Sequence, residues 1–281
     1  MMINKIKSAL IFLRQFVIKN QLRKKDCDIG NNNRLYYWRI ADGQENLGDF
    51  LSKIVVNHFA PVANTSIRQK GKTLYAIGSI LGFRCQNAVV WGSGILSPNS
   101  TKKKNIQYSD LDIRAVRGPK TRALLLEWEK DCPAVYGDPA LLLPLIYKPD
   151  KAKKYNVSVI YNHEHSDFDV PENEDLHFIN ILTDDYKGVI DQIVQSSLVI
   201  SSSLHGIILA EVYGVPAVLL QRKDAAFFKF EDYYHSTGRH NIVVTRTISE
   251  ALRTKPMELP PNISVLQEGL LKTFPYDLWN N

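Results

Sequence analysis

The chain has 281 residues, 44% of them hydrophobic and 23% charged, with 15 glycines and 13 prolines. That composition excludes a disordered, collagen-like or coiled-coil protein and leaves room for one large or two mid-sized folded domains, of which two are expected. The formal charge of +6 is unevenly placed: residues 1–25 hold Lys5, Lys7, Arg14, Lys19, Arg23, Lys24 and Lys25 and no acid, so the rest of the chain nets −1, a poor footprint for nucleic acid.

In the basic head, Ile3, Ile6, Leu10, Leu13 and Val17 recur at three-to-four-residue spacing, an amphipathic helical pattern predicted over residues 1–30. The uncharged run at 8–13 is too short to span a bilayer, and Arg14 interrupts the apolar core that a signal peptide needs. Two readings stand for this head. It lies on an anionic membrane surface as an interfacial helix, or it packs on the body with a solvated basic face.

After the asparagines at 31–33, short apolar runs alternate with helical stretches. Residues 34–40 alternate like a strand, and 47–59 have helix spacing in Leu51, Ile54, Val55 and Phe59. Strand-like runs follow at 73–77, 88–91 and 113–116, then a helix at 119–129 with Pro119 in its first position, then a run into GDPALLLP. Residues 147–155, YKPDKAKKY, lack apolar periodicity and read as a linker. Beyond it come strands at 157–161 and 177–181, a helix at 186–195, a strand at 198–200, a helix at 204–213, and strands at 217–220 and 242–244. This alternation predicts an α/β protein with largely parallel sheets: two Rossmann-like domains, 34–146 and 155–281, facing a cleft. Cys27, Cys85 and Cys132 are odd in number and widely spaced, which argues against a disulfide framework and for a reducing compartment.

The stretch 198–220, LVISSSLHGIILAEVYGVPAVLL, is the most informative. It sets Ser202 and Ser203 at the start of a helix whose free amides and dipole suit a phosphate or carboxylate, with His205 and Gly206 in the first turn. A serine that merely caps the helix, beside an ordinary turn histidine, is the plainer reading of the same residues. Other polar residues follow predicted strands. Trp91–Gly94, WGSG, offers Gly92 and Ser93 to a ligand but lacks the GxGxxG fingerprint, because Ser97 replaces its third glycine. Arg114 and Arg117 bracket a strand end, where a guanidinium clamps an anion through two hydrogen bonds. Asn46, Gly48 and Asp49 open the first helix of the body, Asp49 being either its cap or a catalytic carboxylate. Asp138 reads first as a turn residue holding backbone amides, Lys229 lies in the helix-like KFEDYY, and His163 and His165 make only a weak metal pattern, so no metal site is expected.

Taken together, NLGD at 46–49, WGSGI at 91–95, VRGPKTRALL at 116–125, GDPALLLP at 137–144 and SSSLHGIILAEVYGVPAV at 201–218 resemble the polysaccharide pyruvyl transferase family. KFEDYYHSTG at 229–238 resembles the tail motif of its bacterial exopolysaccharide and capsule branch. The resemblance implies a glycosyltransferase-B-like pair of domains that moves the enolpyruvyl part of phosphoenolpyruvate, a co-substrate and not a bound cofactor, onto sugar hydroxyls. The products are a pyruvate ketal and phosphate. It maps His205 to the histidine at the phosphoenolpyruvate site and Arg117 to the arginine on the same donor. Some relatives carry Arg where this chain has Ser203, so donor anchoring here rests more on Arg117, the helix amides and Lys229. The residues fit that chemistry: His205 as general acid toward the enol carbon, Asp49 as carboxylate or base, and Arg, Ser and helix amides for the two anionic groups of the donor. The implied partners are phosphoenolpyruvate and a lipid-linked saccharide acceptor, and the implied location is the bacterial cytoplasm, peripheral on the inner membrane face. A glycosyltransferase using a nucleotide sugar and a non-catalytic membrane-associated carbohydrate-binding protein are the other classes left open.

Overall fold

The computed structural model describes residues 27–30, 33–40, 44–60, 71–83, 85, 87–101, 103–107, 109–150, 152–162, 168–172, 175–223 and 225–279. The basic head through residue 26 and the histidines at 163 and 165 lie outside the described residues. Residues 27–30, expected to end the head helix, form a strand.

The first sheet has the order β1-β2-β3-β4-β5, from Cys27–Gly30, Asn33–Tyr36, Thr73–Tyr75, Ala88–Trp91 and Leu111–Ala115. Strand β1 is antiparallel to β2, and the remaining pairs are parallel. Its helices are α1 (Leu47–Phe59), α2 (Lys103–Gln107) and α3 (Pro119–Glu127), and a 3-10 turn at Pro139–Leu142 runs into α4 (Leu143–Ile146). The second sheet uses β6 (Tyr155–Ile160), β7 (Leu176–Phe178), β8 (Ser196–Ser201), β9 (Ala217–Leu220) and β10 (Val244–Thr245) in the order β10-β9-β8-β6-β7, all parallel. Helices α5 (Tyr186–Val194), α6 (Leu204–Val212), α7 (Phe228–Ser236), α8 (Ile248–Arg253) and α9 (Ile263–Lys272) accompany it. The α/β expectation with largely parallel sheets therefore holds.

Strand alternation sorts the core. In β4, Val89 and Trp91 face one way and Ala88 and Val90 the other, as a pleat of period two requires. In β9, Ala217 and Leu219 likewise oppose Val218 and Leu220. One continuous cluster takes the inner residues of both sheets together with α1, α5, α6 and the 3-10 turn. The outer face of the second sheet is covered by Ile248 and Ala251 of α8. The C-terminal residues return to the first sheet: Trp91 Nε1 donates to Leu270 O at 2.9 Å, and Phe274 meets the Trp91 ring edge-on.

Strand order also places the site. In the second sheet the chain starts at β6, steps outward to β7, then crosses to β8 on the other side of β6. The connections that leave the carboxyl ends of β6 and β8 thus run in opposite directions, which makes a topological switch point, where open α/β sheets hold ligands.

Candidate active site

Strand β8 ends in the serines. Ser201 Oγ accepts from Ser203 N at 3.0 Å, Ser202 N donates to Ile160 O at 3.0 Å, and Ser202 Oγ accepts from Asn162 N at 2.8 Å. Ser201 and Ser202 thus stitch the ends of β6 and β8 together. Ser203 is the N-cap of α6, yet its hydroxyl makes no capping bond, which leaves first-turn amides uncapped beside His205. Gly206 is needed for packing, since a Cβ there would lie 2.3 Å from Ser201 Oγ.

His205 points across to the first turn of α1. That turn is capped by Asn46, whose Oδ1 accepts from Gly48 N at 3.1 Å, so the capping alternative for Asp49 does not hold. A Cβ on Gly48 would lie 2.0 Å from His205 Nδ1, so only glycine lets the imidazole sit against this turn. On the other edge of the ring, His205 Nε2 is 3.4 Å from Asp138 Oδ2. Asp138 is 1% exposed, and its Oδ1 accepts from Ala140 N at 3.0 Å, as its turn-residue reading predicts.

Asp49 completes the group. Its Oδ1 lies over Gly78, where a Cβ would approach to 2.5 Å. Burial pushes its carboxyl up to about 7, opposed by the charges of His205 and Lys229 and helped by those of Asp138 and Glu45. A carboxyl titrating there can give or take a proton near neutral pH. It also links pH to stability. The pKa is raised in the folded state from about 3.8, so folding favours protonated Asp49, and this contribution is lost as the pH rises to about 7. Asp49→Asn is therefore expected to melt above the wild type at pH 7 and higher, with the gain shrinking toward pH 4. Paired thermal melts across that range check it, and a gain independent of pH would count against the buried charge.

The structure uses other expected site residues internally. The Arg117 guanidinium is 1% exposed and every nitrogen has a protein partner. Nε donates to Asp232 Oδ2 at 3.1 Å, Nη1 to Ser79 Oγ at 2.6 Å, and Nη2 to Ile95 O at 2.7 Å while lying 3.0 Å from Asp232 Oδ2. The expected anion clamp is thus a buried strut between the end of β5 and α7. Arg114 pairs with Asp112 and with Asp277 near the C-terminus, so its charge is committed there. Ser93 is fully buried and donates to Gly78 O at 3.2 Å. Gly92, at φ +92°, admits the Pro139 ring, which a Cβ would approach to 2.3 Å. The WGSG segment is therefore a seam against the Asp138 turn and does not offer its residues to a ligand here. Lys229, on α7, lies 5.2 Å above the Phe230 ring and acts electrostatically on Asp49.

Asp232 escaped sequence reasoning. Besides Arg117 it accepts from Thr121 N at 2.8 Å and Thr121 Oγ1 at 2.6 Å, which docks α7 on α3. Its signal was available: an aspartate among Phe230, Tyr233 and Tyr234 must be paired once those rings are buried. Glu211 is similar, held by Arg239 at 2.6 Å and Tyr233 at 2.7 Å. Cys85 and Cys132 are buried free thiols whose pKa values burial pushes up to about 11 and about 12, so they stay protonated. Among the described residues no group of three or more His, Cys, Asp or Glu side chains is placed to hold a metal ion.

The family model described as polysaccharide pyruvyl transferase matches residues 14–224. The chain belongs to the polysaccharide pyruvyl transferase family. That match takes in Gly48, Asp49, Asp138 and His205 and stops before Lys229 and Asp232. An uncharacterized protein of Acanthamoeba polyphaga mimivirus is 28% identical over 174 residues, 58% of this chain. The chain spans only 59% of that relative's length. A functionally uncharacterized protein from Klebsiella pneumoniae is similar in structure, with a TM-score of 0.46 and 13% identity over 84% of this chain and 98% of that one. For a member of the pyruvyl transferase family, the grouping of His205 with two carboxylates at a switch point is the feature that invites a chemical role.

Proposed function

We propose that this chain transfers a pyruvyl group from phosphoenolpyruvate to the hydroxyls of a saccharide, leaving a pyruvate ketal and free phosphate. The observation that carries the reading is His205 in the first turn of α6, between Asp138 and the turn of α1 that bears Asp49, with the pKa of Asp49 raised to about 7. Family membership supports the reaction class.

In this mechanism protonated His205 gives its proton to C3 of the enol, and C2 gains the positive character that a sugar hydroxyl attacks. The hydroxyl proton passes to Asp49. A second hydroxyl of the same sugar then displaces phosphate from C2 and closes the ketal, its proton returning to the neutral imidazole of His205 while the proton held by Asp49 leaves with the phosphate. The uncapped amides of α6, the Ser203 hydroxyl and Lys229 meet the phosphate and carboxylate of the donor. Ionised Asp49 faces the charge developing at C2 before it takes up the proton. The two largely parallel sheets serve as donor and acceptor halves in the manner of a glycosyltransferase-B-like pair.

The basic head belongs to the same proposal as an anchor to an anionic membrane, where a lipid-linked acceptor is presented at the inner face. Among the described residues no helix is long and apolar enough to cross a membrane.

The test is acceptor-dependent release of phosphate from phosphoenolpyruvate, measured with the full chain against free and lipid-linked saccharides. Release with at least one acceptor is expected. No release with any acceptor, together with no binding of phosphoenolpyruvate, overturns the proposal. Binding of a nucleotide sugar without response to phosphoenolpyruvate would replace it with glycosyl transfer.

A further inference from the structure

We propose that Asp138 is a positioning residue that holds the Nε2 edge of His205, so that Nδ1 is the nitrogen that works on the substrate. The Asp–Pro dipeptide at 138–139 looks like turn chemistry, and one carboxylate oxygen is indeed spent on the turn, accepting from Ala140 N at 3.0 Å. The other, Oδ2, is buried, has no hydrogen-bond partner, and faces His205 Nε2 at 3.4 Å. That nitrogen is likewise buried and without a partner. Two facing orphans of this kind are costly in a low-dielectric interior, and a contraction of a few tenths of an ångström joins them as N–H···O.

The turn cannot retreat from this contact. Ala140, Leu141 and Leu142 are fully buried, and the turn packs against α1, α6 and α9. Gln267 Nε2 donates to Leu141 O at 2.7 Å and pins it from the α9 side. The Nδ1 edge lies over Gly48, where a Cβ would stand 2.0 Å from Nδ1 and block it, so the glycine keeps that edge open. The ring is therefore held at Nε2, which is buried and sealed from any ligand, whereas Nδ1 is not among the buried unpartnered atoms. Asp138 fixes the neutral imidazole as the Nε2–H tautomer. Proton exchange with a substrate runs through Nδ1, on the side of the ring turned toward Gly48 and the Asp49 helix.

The catalytic half of this inference rests on the role proposed above for His205; the tautomer half does not. The experiment is imidazole nitrogen–proton correlation spectroscopy of the full chain labelled at histidine, followed through a pH titration, with His205 assigned by its loss in His205→Gln. The neutral wild-type ring is expected as the Nε2–H tautomer. In Asp138→Asn, the amide oxygen keeps the bond to Ala140 and the amide nitrogen presents a donor to Nε2. The ring is then expected to switch to the Nδ1–H tautomer, with turnover falling by roughly 10²–10⁴-fold. A wild-type Nδ1–H tautomer overturns the inference even if the variant fails to fold, and so does a variant that keeps Nε2–H. A tautomer that switches as expected in a protein inert toward phosphoenolpyruvate supports the pairing and removes the proposed reaction. Unchanged tautomer and turnover in Asp138→Asn remove the pairing and leave the reaction standing.

Discussion

His205→Ala is expected to lower acceptor-dependent phosphate release by roughly 10²–10⁴-fold, the usual weight of a positioned general acid, with the fold retained and stability lowered by no more than the loss of one buried pairing, about 1–3 kcal/mol. The two halves of this expectation have separate causes. His205 sits in the first turn of α6, where alanine is a better helix former; its side chain is 14% exposed, and its one polar partner is Asp138 and not the backbone of α6. The cap geometry of α6 comes from the backbone of Ser203 and the Ser201 hydroxyl, neither of which the substitution touches. Asp138 keeps its bond to Ala140. The loss therefore falls on the chemical step: kcat drops while the KM for phosphoenolpyruvate moves little, because the uncapped amides, Ser203 and Lys229 still meet the donor. Steady-state kinetics beside a thermal melt separate the two. Turnover within a few-fold of the wild type, with the fold retained, would take His205 out of the mechanism.

How far the sequence reached differs by element, and the differences have physical causes. The local spacing of Leu51, Ile54, Val55 and Phe59 places helix α1 at its true ends, although its cap is Asn46 and not Asp49. Strand β9 was also read with its true ends, as a short apolar run that follows Gly214 and Pro216. The entry to α6 was legible for the same reason, which is why His205 and the serines could be singled out. Three things were not. Strand β1 has no alternation of its own and exists through pairing with β2. Helices α8 and α9 lie outside the predicted elements, and the return of α9 to the first sheet, where Leu270 accepts from Trp91, joins residues 179 positions apart. The order of the second sheet, which creates the switch point beside His205, is also a product of pairing and not of pattern. The site residues divide along the same line. Gly48 and Asp138 stood in recognisable motifs, but their meeting at His205 is a tertiary fact, and Arg117 looked like a ligand clamp because its partner Asp232 lies 115 residues away.

That partner sets the second large expectation. Removing one member of the Arg117–Asp232 pair, by Arg117→Ala or Asp232→Ala, is expected to cost about 3–5 kcal/mol, because the survivor is left as an uncompensated charge in a dry interior. For a chain of this size that lowers the melting temperature by roughly 6–20 °C, at about 2–4 °C per kcal/mol. Asp232→Ala should be at least as severe as Arg117→Ala, since Thr121 N and Thr121 Oγ1 lose their acceptor in the same step. The double variant Arg117→Met with Asp232→Leu should recover part of the loss by replacing the ion pair with apolar packing. It should not recover all of it, because Thr121 N, Ser79 and Ile95 O still lack their former partners. Paired melts of the singles and the double measure the coupling, and kinetics at a temperature where every variant is folded then show what the strut contributes to function. A guanidinium that clamped the donor would give the opposite result: an unchanged melt for Arg117→Ala and a KM for phosphoenolpyruvate raised in proportion to the lost charge pair.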